Sequence, residues 1–188
     1  MNLVSENIII IPDFLTHKEC DQLIVLSETH GYDEATVETE KGSKMLKDVR
    51  NNERLLWKDE IHATELWKRV RQFVPAKIGN SVAVGLNELF RFYKYGPGQL
   101  FKKHIDESFI RNEYEASYLT FLIYLNDDYA GGETKFNDKA IKGKKGEGLI
   151  FLHSLPHEGA EVTAGFKYVL RTDIMYRLEE KEFGTEPS

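Results

Sequence analysis

The run YLTFLIYLN at residues 118–126 is an almost continuous apolar stretch. A strand with one wet face alternates apolar and polar residues, whereas a strand buried on both faces does not. This segment therefore demands cover on two sides, which only a sheet packed against material on each face provides. Further short strand candidates surround it. LFRFYKY at 89–95 has rough two-residue alternation, and GGETKF, GLIFLH, AEVTAG and FKYVLRTDIMYR follow between Gly-rich or Pro-containing turns.

The first part of the chain has a different texture. IIII at 8–11, ended by Pro12-Asp13, reads as a short buried strand and a turn. Thr16 with Glu19 three residues on forms a capping-box signature. The helix it opens buries Cys20, Leu23, Ile24 and Leu26 and stops at Gly31. A second helix is expected over 59–73, with Ile61, Ala63, Leu66, Trp67 and Val70 at helical spacing and Pro75 just beyond. Helices first and strands later imply an α+β protein, a β-sandwich or jelly roll buttressed by N-terminal helices. The expected organisation is a single domain over 1–188, with helical support over about 1–83 and the β core over about 84–177. EEKEFGTEPS at the C-terminus reads as a solvated tail.

At 188 residues the chain can bury a substantial core without covalent staples. Its net charge of −6 disfavours a dedicated nucleic-acid binder, although KGKKG at 142–146 is a local basic patch. Cys20 is the only cysteine, which rules out an intramolecular disulfide and a thiolate metal cluster within one chain. MNLVSENIIIIPDF lacks the basic and long apolar regions of a signal peptide, and no run is long enough to span a bilayer. A soluble, cytoplasmic protein is expected. IIII could pair across subunits, but pairing within the domain is the simpler reading, and oligomeric state is not fixed.

His104-Ile-Asp106 places an imidazole and a carboxylate on one face if the backbone there is extended. With His157 arriving from a distant strand, the three would make the two-histidine, one-carboxylate face of an octahedron used by non-haem Fe(II) oxygenases. Spacing alone is weak support, since a His and an Asp two apart recur by chance, usually on surfaces. His153 lies close enough in sequence to compete with His157.

The surrounding blocks are more specific. Tyr95-Gly-Pro-Gly-Gln-Leu-Phe-Lys-Lys-His104-Ile-Asp106 resembles the approach to the HxD of prolyl 4-hydroxylases. YLTFLIYLNDDYAGGETKF at 118–136 resembles the strand, turn and GGET motif of the same family. HEGAEVTAGFKYV at 157–169 resembles its distal histidine with the Val, Gly and Lys that follow. The likeness runs over roughly 84–177, with a fainter one in PDFLTHKECDQLI and DVRNNER. It identifies the chain with the 2-oxoglutarate and Fe(II)-dependent dioxygenases, prolyl 4-hydroxylase-like branch, and His153 has the wrong offset to the Val, Gly and Lys.

That resemblance implies a double-stranded β-helix with Fe(II) held by His104, Asp106 and His157, the catalytic residues. It also implies 2-oxoglutarate and O2 as cosubstrates, with ascorbate as a candidate reductant. Lys167, ten residues after His157, matches the lysine that meets the distal carboxylate, and Tyr95, nine before His104, matches the supporting tyrosine. Burying that carboxylate requires such partners. On an alternating strand Lys167, Val169, Arg171 and Asp173 share one face, so Arg171 is the competing anchor, or else a substrate contact or a salt-bridge partner of a carboxylate. Tyr124, Thr134, Arg91 and Tyr93 are further pocket candidates, and RNNER at 50–54 is a surface turn or a substrate-facing loop.

The implied reaction is hydroxylation of an unactivated C–H bond with release of succinate and CO2. Asp106 favours it over halogenation, because halogenating relatives lack the carboxylate ligand. A prolyl residue in a peptide or protein is the implied substrate; a free amino acid or other small metabolite is the alternative, with no nucleic-acid or membrane partner expected. Tyr168 stands where a tryptophan often follows the lysine, and VLRTDIMYR departs from the usual closing residues. A catalytically inactive metal-binding jelly roll, or one holding zinc, would leave Tyr95 and Lys167 unexplained.

Overall fold

The computed structural model describes residues 2–5, 7–35 and 49–179. The expectation for the tail from residue 180 on lies outside the described residues, as does Asp48, the first residue of DVRNNER. Among the described residues the strands form an eleven-stranded sheet, a four-stranded sheet and a two-stranded ribbon. The large sheet centres on three long strands, Leu89–Tyr95, Glu115–Tyr124 and Lys167–Leu178, with Lys167–Leu178 hydrogen-bonded between the other two. The small sheet contains Ala140–Ile141, Thr134–Phe136, His157–Gly159 and Phe101–His104, in that order. The expected jelly roll is the fold observed.

Each long central strand is buried on both faces, and alternation decides what each face meets. Phe90, Phe92, Leu119, Phe121, Ile123, Leu170 and Ile174 form one cluster with Cys20 and Leu23 of helix α1 (His17–His30) and with Ala63, Leu66 and Val70 of helix α2 (Glu60–Val70). The alternate residues Tyr93, Tyr95, Tyr124 and Val169 cluster with Leu149, Phe151 and Val162 between the sheets. The helices thus cover the outer face of the large sheet, and its inner face looks onto the small one.

Local signals place the helices. Thr16 and Glu19 make the capping box at the start of α1, and Gly31 at its end has φ +81°, where a side chain would be strained. In α2 the side chain of Asp59 accepts from the His62 N–H. Two expectations need correction here. The α-helix ends at Val70, and Arg71–Phe73 tightens into a 3-10 turn. Ile61, expected on the buried face, is 78% exposed, because the buried stripe runs through Ala63, Leu66 and Val70.

The segment expected to be helical support also contributes strands. Ile8–Ile11 pairs with Gly148–Leu152 towards one edge of the large sheet, and Glu53–Lys58 pairs with Leu89–Tyr95 towards the other. RNNER is correspondingly no surface turn: Arg50 and Asn52 are buried, and Glu53 opens the second of those strands.

Candidate active site

His104 ends its strand directly opposite His157 in the small sheet, so ladder register brings two histidines fifty-three residues apart side by side. Asp106 follows the strand and is fixed there by its own N–H, which donates to the His153 carbonyl at 3.0 Å. One ligand atom from each of His104, Asp106 and His157 lies within 4.8 Å of the other two. The Nε2 atoms of both histidines are 3.7 Å from oxygens of Asp106.

The other ring nitrogens explain that orientation. His104 Nδ1 lies 2.8 Å from the Lys102 carbonyl, and His157 Nδ1 lies 2.9 Å from the Leu155 carbonyl. A carbonyl only accepts, so each Nδ1 carries the hydrogen and each Nε2 keeps a lone pair turned to the shared point. Burial, reinforced by neighbouring His157, pushes His104 down to about 4, and burial lowers His157 as well. Both rings are therefore neutral near pH 7, the form that binds metal. Burial opposes the charge on Asp106, but Arg171, His157 and the Thr120 hydroxyl hold its carboxyl down to about 2. This donor set fits a divalent ion that takes mixed nitrogen and oxygen ligands.

Behind Asp106 lies a hydrogen-bonded chain. Thr120 Oγ1 donates to Asp106 Oδ2 at 2.5 Å, and Arg171 Nη1 meets Asp106 Oδ1 at 2.9 Å. Because the threonine has spent its proton, His153 Nδ1 donates to it at 2.9 Å, and Ser117 donates to His153 Nε2 at 2.8 Å. His153 is thus outside the triad and helps orient it. The sequence reading passed over Thr120, although a hydroxyl inside an apolar run is a usable signal.

The large sheet supplies the rest of the pocket, whose walls enclose about 440 Å³ of space including its open mouth. Lys167 pairs with Tyr95 across the ladder, and the two line one end with Thr134. Lys167 Nζ donates to the Gly132 carbonyl at 2.7 Å and is otherwise flanked by the Tyr95 and Tyr124 rings, 5.4 and 5.5 Å from its nitrogen. Burial, with Lys142 adding to it, pushes this ammonium down to about 7. A buried ammonium so sparsely partnered suits an incoming carboxylate. Gly132 sits at φ +69°, and a Cβ there would come within 3.3 Å of the Lys167 side chain. Tyr124 points its hydroxyl at Thr134, 2.7 Å away, so it supports the pocket from the core.

Arg171 lies four residues further along the same face, roughly 13 Å from Lys167 at strand rise. Its guanidinium spans Asp106 and Asp173, at 2.9 and 3.2 Å. Arg91, expected at the mouth, instead pairs with Asp173 at 2.9 Å, whereas Tyr93 does line the pocket. Burial would raise the Tyr93 hydroxyl, but the guanidiniums of Arg171, Arg50 and Arg91 outweigh it and lower the group.

A jelly roll whose two sheets enclose a His-Asp-His cluster defines a class, the facial-triad metalloproteins. Residues 90–172 match the 2OG-Fe(II) oxygenase superfamily. The chain is 29% identical to prolyl 4-hydroxylase 1 of Arabidopsis thaliana, over 87% of its own length and 67% of that relative. It is 30% identical to probable prolyl 4-hydroxylase 3 of the same plant, over 66% of its length and 43% of that relative. A Trichoplax adhaerens prolyl hydroxylase, solved with a hypoxia inducible factor peptide fragment, shares the fold at a TM-score of 0.70 and 19% identity, covering 98% of this chain and 90% of that one. These likenesses support a 2-oxoglutarate and Fe(II)-dependent oxygenase of the prolyl 4-hydroxylase-like kind, a family that uses Fe(II), 2-oxoglutarate and O2.

Proposed function

We propose that the chain hydroxylates an unactivated C–H bond of a prolyl residue in a peptide or protein, converting 2-oxoglutarate to succinate and CO2. The convergence of His104, Asp106 and His157 carries this reading, and the relatives' names support the substrate class. Those three side chains hold the metal through Nε2, a carboxylate oxygen and Nε2. Iron with bound 2-oxoglutarate supplies the oxidative decarboxylation that activates O2.

The protein's own contribution is placement. Lys167 meets the distal carboxylate of the cosubstrate, with Tyr95 beside it, and Arg171 is left to Asp106 and Asp173. Thr120 and His153 keep Asp106 aimed at the ion. The aromatic walls, Tyr93, Phe101 and Phe151, limit water around the reacting carbon.

The test is an anaerobic titration of Fe(II) and then 2-oxoglutarate, read by the visible metal-to-ligand charge-transfer band. The band is expected in the wild type and in His153→Ala and absent in His157→Ala. A well-folded, iron-loaded wild type without a band would refute the assignment. Proline-containing peptides that fail to raise succinate formation would remove the prolyl part alone.

A further inference from the structure

The pocket and its surroundings carry more cations than carboxylates among the described residues. Lys167 awaits the cosubstrate, with Lys142 and Glu133 acting on it in opposite senses. Arg171 lines the pocket and is paired with Asp106 and Asp173, and the charges of Arg50 and Arg91 also reach Tyr93 on the same wall. Arg91 pairs with Asp173, and Arg171 pairs with both carboxylates through Nη1 and Nη2 only. Arg50 is held differently. Its guanidinium carbon lies 4.6 Å from the Tyr93 ring centroid and 4.4 Å from that of Phe101, two walls of the pocket. Its Nε donates to Asn52 Oδ1 at 2.7 Å, and its Nη2 is buried with no hydrogen-bond partner. Nε of Arg171 is buried and unpartnered as well.

Fe(II) and 2-oxoglutarate carry opposite double charges, so their binding leaves this balance as it was. Among the described residues, Lys167, Arg171, Arg91 and Arg50 then stand against Asp106 and Asp173, while Glu133 and Lys142 act on Lys167 in opposite senses. Glu158 also lines the pocket, but it is partly exposed and lies 3.9 Å from Lys135. A surplus of buried positive charge with open donors is costly unless a ligand brings negative charge. A neutral peptide backbone does not.

Resting on the oxygenase reading above, we infer that the prime substrate carries a carboxylate, recognised by Arg171 and Arg50 on either side of Tyr93. Recognition there sets the reacting carbon beside the ion. The same chemistry suits a free amino acid, a C-terminal residue or a peptide with an acidic side chain.

The experiment begins with the 2-oxoglutarate charge-transfer band, whose absence would sink the oxygenase reading itself. Zn(II)-loaded protein saturated with 2-oxoglutarate is then titrated with N-acetyl amino acids and their primary amides, using ligand-observed NMR. A second arm uses end-capped peptides with and without one internal aspartate, which separates a small acid from an acidic peptide. Binding of the charged member at least about tenfold tighter in either arm is expected, as for a charge-assisted pair in a sheltered site. The preference should shrink with ionic strength and fall in Arg50→Met, which keeps a side chain between the two rings. Equal binding of charged and neutral members, no binding in both arms, or a preference intact in both Arg50→Met and Arg171→Gln would overturn the inference. If Arg50→Met does not fold, Arg50→Lys and the salt dependence decide: a salt-insensitive preference counts against it.

Discussion

The two faces of the central strands are made from the same segments and do opposite jobs. The outer face carries Phe90, Phe92, Leu119, Phe121, Ile123, Leu170 and Ile174 against the helices. One residue away in each strand, the inner face carries Tyr93, Tyr95, Thr120, Lys167 and Arg171. Stability therefore concentrates on one side of the sheet and buried charge on the other. The lesson is that a continuous run of apolar residues can be a platform for chemistry, provided its few polar members fall on one parity. Lys167, Arg171 and Asp173 share that parity in Lys167–Leu178, and Thr120 supplies it opposite Asp173 in Glu115–Tyr124.

The comparison breaks if outer-face changes disturb ligands more than they disturb folding. Phe121 is fully buried and meets the Phe14 ring edge-on at 5.0 Å. Phe121→Ala should lower the unfolding free energy by about 3–5 kcal/mol, the usual cost of an emptied aromatic site. Denaturant unfolding measures it, and any folded remainder should still bind Fe(II). Thr120→Val is the inner-face counterpart. It keeps the shape, removes the proton that Asp106 accepts, and leaves His153 Nδ1 without its acceptor. A stability loss of about 1–3 kcal/mol is expected from the unpaired groups, with metal affinity down by roughly 10–100-fold. Unchanged affinity, measured by competitive chelation, would show that Arg171 alone suffices to orient Asp106.

Much of this was legible in residue order, for reasons that can be separated. The triad was visible because ligand geometry ties HxD and a distal histidine to recognisable flanks. The capping box and the doubly buried strand were visible because they depend on local contacts. What escaped depends on which strand lies beside which. Nothing near Glu53–Lys58 announces that it joins Leu89–Tyr95 near the sheet's edge, so Arg50 read as surface. His153 read as a decoy because its role exists only where Thr120 and Ser117 lie opposite.

Lys167 sharpens the comparison through pH. Its folded value of about 7 lies below the 10.5 of an exposed lysine, chiefly through burial. Between those values the unfolded chain holds a proton that the folded protein has released, so stability without cosubstrate rises with pH from about 7 upward. The slope cannot exceed about 1.4 kcal/mol per pH unit for one group. Lys167→Met should flatten that rise in chemical-denaturation curves. The cosubstrate reverses the preference, because its carboxylate favours the charged amine, so 2-oxoglutarate affinity should weaken above neutrality in the wild type. An affinity independent of pH over that range would assign the anchor elsewhere, Arg171 first.

The smallest effect is the most direct check on which face of α2 is buried. Helical spacing alone placed Ile61 with Ala63, Leu66 and Val70, yet Ile61 is 78% exposed while those three are buried. From Ala63 the buried positions advance by three and then four residues, one stripe of a helix, and Ile61 lies off that stripe. Ile61→Ala should therefore move stability by no more than about 0.5 kcal/mol, as for surface substitutions generally. Leu66→Ala on the buried stripe should cost about 2–5 kcal/mol. The pair can be read in parallel thermal melts. If Ile61→Ala cost as much as Leu66→Ala, α2 would have to be rotated on the sheet, and the outer face described here would be incomplete.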